Sequence, residues 1–246
     1  MANWNDPQPG SGFGASPSLD GRAGGKVAYD TGLRRYMLSI YNYMASGVLL
    51  SGVIALGFAS SGMAVQVLNS PLRWLVMLAP LGFLLAMNFG FQRMKTSTLQ
   101  MLYWAFCAVM GMSMASIFLV FTGASIATTF FATAGAFAGL SLAGYTTKKD
   151  LSGLGTFLIM GLFGILIAML IGMFVQSTAL QLAISILGVL IFAGLTAYDT
   201  QMLKNQYYQV RGTEYVGKVV VMGALRLYLD FINLFQFLLS FLGDRR

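Results

Sequence analysis

Seven apolar stretches, each long enough to cross a bilayer, take up most of this chain: 37–59, 74–91, 101–121, 126–144, 154–175, 180–205 and 219–242. A hydrocarbon core about 30 Å thick needs roughly 20 apolar residues per helix. Inside it every backbone N–H and C=O must be bonded within the protein, which admits only helices or closed barrels. None of the stretches alternates apolar and polar residues at period two, so a barrel is excluded. What remains is an all-α polytopic membrane protein, a seven-transmembrane-helix bundle. Composition agrees, with 57% hydrophobic and 9% charged residues and a mean hydropathy of +0.72. A soluble domain carries roughly a quarter charged residues. Too few are present here to cover a surface in water.

Residues 1–30 differ from the rest, being rich in Gly, Pro, Ser and Asn. Such a composition predicts a disordered polar tail. It has no short apolar core or cleavage site of a signal peptide, so it is expected to stay on the mature protein. The membrane domain is then 31–246. Within it, Gly135 and Gly139 form a GxxxG pair, expected to serve close packing inside the bundle rather than a dimer face. The single cysteine, Cys107, excludes a disulfide framework. Histidine is absent, which removes the usual metal ligand and the usual side chain titrating near neutral pH. There is no phosphate-binding GxxxxGK[ST], no HExxH and no cysteine cluster, so no cofactor is expected.

The net charge of +7 does not point to nucleic acid, because the basic residues stand singly between apolar spans. Their distribution orients the chain instead. With the N-terminus in the cytoplasm, that side receives Arg22, Lys26, Arg34, Arg35, Arg93, Lys95, Lys148, Lys149, Lys204, Arg211 and Lys218. The other side receives Arg73, Arg245 and Arg246. Cytoplasmic loops of membrane proteins carry the excess of Lys and Arg, which predicts a cytoplasmic N-terminus. The last span holds Arg226, Asp230, Asn233 and Gln236 and is too polar to face lipid. A central helix surrounded by the others is expected, with a re-entrant hairpin as the alternative.

Of eight acidic residues, only Asp199 and Asp230 lie within apolar spans. A charged carboxylate at membrane depth costs roughly 2.5–3.5 kcal/mol on insertion scales, so it needs a partner or a purpose. Spans six and seven are antiparallel, and the midpoint between the two aspartates falls at 214–215, in the polar connection 208–218. A hairpin symmetric about that turn sets both acids at one depth. Two carboxyls so placed titrate as a coupled pair. They are also the candidate metal ligands: calcium prefers several oxygens, and two carboxylates with Asn233 and waters would hold it weakly. Arg226, four residues before Asp230, lies on the same helix face and is expected to neutralise it or to snorkel. Arg93, at the end of the second span, either reaches inward to Asp199 or snorkels.

Three blocks carry a resemblance: 144–152 (GYTTKKDLS), 195–201 (LTAYDTQ) and 223–235 (GALRLYLDFINLF). In the first, Asp150 or Ser152 is placed to cap the fifth span. Together they resemble the Bax inhibitor-1, or transmembrane Bax inhibitor motif, family over roughly residues 30–246. The ending FLGDRR looks like the bacterial inner-membrane branch. The resemblance implies a seven-helix bundle with the last helix central, acting as a pH-sensitive calcium leak channel. It implies that the aspartates at 199 and 230 form a di-aspartyl sensor and that Arg93 latches onto it in the closed state. Position 82 is Gly, where some relatives carry an acid. The expected partners are the lipid bilayer, the calcium ion and other membrane proteins.

Two other functions fit the residues less directly. One is a non-conducting modulator of a membrane protease or channel. The other is an intramembrane aspartyl protease, for which Tyr198-Asp199 fits. Leu227, Tyr228 and Leu229 stand where such an enzyme needs glycine before its second acid, so an enzyme is not expected.

Overall fold

The computed structural model describes residues 20–175 and 177–246, with side chains from residue 31 onward. Residues 1–19 of the expected polar tail lie outside the described residues. The remainder of that tail begins the first helix.

Among the described residues nine helices follow in order: α1 Asp20–Ser60, α2 Met63–Leu68, α3 Leu72–Gly90, α4 Thr96–Met114, α5 Ser116–Val120, α6 Gly123–Thr146, α7 Ser152–Gly172, α8 Thr178–Val210 and α9 Val216–Leu242. Only Ala115 separates α4 from α5, so the two form one span, Thr96–Val120, and among the described residues the helices long and apolar enough to cross a membrane number seven. Each expected stretch coincides with one of them. The helices overrun the apolar windows because hydrogen bonding continues through polar turns beyond the hydrocarbon. Thus Tyr208 to Val210 belong to α8, and the connection to α9 shortens to 211–215, with Gly212 at φ +78° supplying the left-handed turn.

α9 is the central helix. It packs against α1, α4, α6 and α8. Half of its apolar window is buried, against 6% for α3, which lies at the periphery. It is also one unbroken helix of 27 residues rather than a re-entrant hairpin. At one end Gly217 packs on Thr96, the first residue of α4, and at the other Gly243 packs on Phe121, just past α5. Backbone bonds fix that far end: Thr122 N–H donates to the Asp244 carbonyl (3.1 Å) and Arg246 N–H to the Val120 carbonyl (2.9 Å). The Asp244 N–H donates to Ser125 Oγ (2.9 Å). Twenty-seven helical residues rise about 40 Å, a full bilayer thickness.

The GxxxG expectation is corrected. A side chain added at Gly135 or Gly139 would meet nothing within 4 Å, so neither packs inside the bundle. The inward stripe of α6 is carried by Thr129, Thr133, Phe137, Ser141 and Gly144, spaced three or four apart. Positions 135 and 139 fall on its opposite side. Gly144 is the glycine at a close approach: a Cβ there would collide with the backbone carbonyl oxygen of Ala197 in α8.

Candidate functional site: the α8–α9 acid pair

Asp199 shares the inward stripe of α8 with Phe192, Leu195, Thr196 and Leu203. Asp230 lies on the buried side of α9 with Gly223, Leu227 and Leu234. Antiparallel packing of these stripes brings the two carboxyls within hydrogen-bonding reach of each other. Both residues are buried, at 6% and 4% exposure. Little else satisfies them. Asp230 Oδ2 has no hydrogen-bond partner, an arrangement that costs several kcal/mol for a bare buried carboxylate (roughly, in a low dielectric).

The base at this pair is Arg226. Its Nη1 lies 3.2 Å from Asp199 Oδ1 and 3.1 Å from Met202 Sδ. The sequence pointed Arg226 at Asp230, four residues along its own helix. The structure turns it across to α8, because Asp230 faces inward while Arg226 stands on the open side with 48% of its side chain exposed. Arg93, which the resemblance makes the latch on Asp199, is exposed in the turn after α3, where its backbone N–H bonds the Gly90 carbonyl. Asn233, three residues after Asp230, lines a cleft along α9, and its amide N–H donates to the Leu229 carbonyl (2.8 Å). Among the described residues no three acidic, Cys or His side chains gather as a metal site.

The block 144–152 is tied to the block 195–201 by a residue the sequence reading passed over. Gln201 donates its amide N–H to the Lys149 carbonyl (2.7 Å) and accepts from the Leu151 N–H (2.8 Å). It thereby pins the α6–α7 loop to α8 two residues after Asp199. Neither Asp150 nor Ser152 is the cap: that position is Leu151, without a side-chain cap bond, and Asp150 Oδ1 just before it accepts from the Ser152 hydroxyl (2.6 Å) and backbone N–H (2.9 Å). These bonds from Ser152 hold the Asp150 carboxyl below its usual pKa. On the other flank Tyr228 OH shares a 2.6 Å bond with Ser51 Oγ, fixing α9 to α1 two residues before Asp230. Both anchors pair residues far apart in sequence, so no local spacing announces them.

A bundle of seven crossing helices, with two acids buried between its sixth span and its central one, defines an all-α polytopic membrane protein with ionisable groups inside. The chain belongs to the Bax inhibitor family: the family model described as Inhibitor of apoptosis-promoting Bax1 matches residues 33–246. Among similar proteins, an uncharacterized protein of Rickettsia prowazekii is 45% identical, covering 89% of this chain and 93% of that one. The inner membrane protein YbhL of Escherichia coli K12 is 43% identical over 87% of this chain and 94% of its own. An uncharacterized membrane protein of Streptococcus pyogenes is 32% identical over 87% of this chain and 94% of its own.

Proposed function

We propose that this protein is a cation leak path of a bacterial inner membrane, passing calcium and responding to pH through Asp199 and Asp230. The carrying observation is the pair itself: two carboxyls face each other at membrane depth, one with an oxygen that no donor reaches. A proton shared by the two carboxyls removes one of their charges, and Arg226 offsets the other. Deprotonation of the pair leaves two negative charges for one arginine, which favours opening and draws in a divalent cation. Calcium is the permeant ion here, held too loosely for storage. Arg226 takes the closing role that the resemblance gives to Arg93. An aspartyl protease fits poorly, because Leu227 and Tyr228 are fully buried beside Asp230 and leave no room for a peptide.

Calcium flux into liposomes holding only the purified protein tests this reading. Wild type is expected to leak with a pH-dependent rate, and the Asp199→Asn, Asp230→Asn double variant to lose that dependence. An unchanged profile in the double variant removes the pair from the sensor. No flux at all from the pure protein favours the modulator reading.

The inner membrane is proposed from YbhL, whose name carries that location, and the cytoplasmic N-terminus from the basic bias. On a Cys107→Ala background, Ser177→Cys should react with an impermeant thiol reagent only from outside the cell. Reaction from the cytoplasmic face alone would invert the topology.

A further inference from the structure

Between residues 219 and 236, α9 is buried except along one stripe. Arg226, Leu229, Asn233, Gln236 and Ser240 follow one another at alternating steps of three and four, so they share a face. Arg226 and Ser240 are exposed and the three between them half-buried. The stripe looks out between α3 and α7, and it floors cavities at two levels. Toward the end where Gly243 meets Phe121, a cleft of about 780 Å³ is lined by Asn233, Gln236, Ser240 and Arg245. A second cavity of about 550 Å³, against α7 and α8, has the same four residues in its wall, so the two are one vestibule. Toward the other end, a cavity of about 280 Å³ is lined by Asn88, Gln206 and Arg226, the last of which bonds Asp199. The 780 Å³ cleft and this inner cavity have one lining residue in common, Leu229.

We propose that Leu229 is the hydrophobic constriction that separates the polar vestibule from the cavity lined by Arg226. The inference rests on the conduction reading for its purpose, but its geometry stands on the cavities alone. Amide and hydroxyl groups above Leu229, and Asn88, Gln206 and Arg226 below it, can share hydration with a passing cation. Leu229 offers no such contact, and an apolar ring at a narrow point blocks ions by excluding water. Asp230 is next in sequence to Leu229, and Arg226, in the wall of the cavity beyond it, holds Asp199. Rotating or shifting α9 to break Arg226 from Asp199 moves Leu229 as well, since both project from the same stripe.

The experiment uses the full chain in proteoliposomes of uniform orientation, with Cys107→Ala and Asn233→Cys, and an impermeant thiol reagent added to either side. With Leu229 present, residue 233 should react from the vestibule side at least tenfold faster than from the opposite side. Adding Leu229→Ser, or Leu229→Ala should the serine variant not fold, should bring the two rates within about twofold. Equal rates with Leu229 present, no reaction from either side, or one-sided reaction that persists in both variants would each overturn the proposal. Calcium leak is read in parallel without the added cysteine, and Leu229→Ser should raise it about tenfold. Two-sided labelling without calcium flux keeps the constriction and removes calcium conduction, so the two readings fail separately.

Discussion

Replacing Gly144 with alanine should lower the thermal midpoint of the detergent-solubilised protein by several degrees, whereas the same change at Gly135 should leave it unchanged or slightly raised. In both cases alanine improves helix propensity by about 1 kcal/mol. At Gly135 that is the whole effect, since the new methyl meets nothing. At Gly144 the methyl would overlap the Ala197 carbonyl oxygen. Backbone cannot rotate away as a side chain does, so α6 and α8 must separate. Overpacking of a tight contact costs about 1–3 kcal/mol, occasionally more, and here it strikes two residues from Asp199. The hydroxyl bond between Ser141 and Thr200 (2.8 Å) spans the same seam and would lengthen with it. Differential scanning of the two variants checks the expectation. Equal midpoints would mean that the α6–α8 seam yields freely.

Arg226→Ala is expected to raise calcium leak at neutral pH roughly tenfold, and Arg93→Ala to leave it near wild type. Arg226 holds Asp199 at 3.2 Å, while Arg93 stands in the exposed turn beyond α3. A fully buried pair broken on one side can cost about 3–5 kcal/mol, and an exposed one at most about 1 kcal/mol. With Asp199 buried and Arg226 half in water, the pair falls between, on the order of 1.4 kcal/mol, which is the tenfold shift. Arg226→Lys keeps the charge without the planar fork and should lie between wild type and alanine. A leak raised by Arg93→Ala and not by Arg226→Ala would return the latch to the second span.

Hydropathy made the seven spans legible because each crossing needs the same length of apolar helix, and the polar residues of α9 marked it as central. The two short helices were not legible. α5 continues an apolar run past Ala115, and α2 is too brief to register. Asp199 and Asp230 stood out as acids in apolar spans, but the partner of Arg226 did not. Spacing along one helix proposed Asp230, and the rotation of α9 against α8 decided for Asp199. Gly135, Gly139 and Gly144 look alike in a string of letters. Which of them carries a helix contact depends on where the inward stripe of α6 falls, a few tens of degrees that no local pattern fixes.

The position of α9 also bears on how the molecule comes to exist. Chains are made from the N-terminus, so the helix that packs on α1, α4, α6 and α8 leaves the ribosome after all of them. Until then those spans must wait in the bilayer around a missing centre, with Tyr103, Phe106 and Ile40 (each fully buried in the finished bundle) facing lipid or one another. A premature stop before residue 216 would therefore produce six inserted helices with no heart. Such a fragment should be a substrate for membrane quality control rather than a weakened version of the protein.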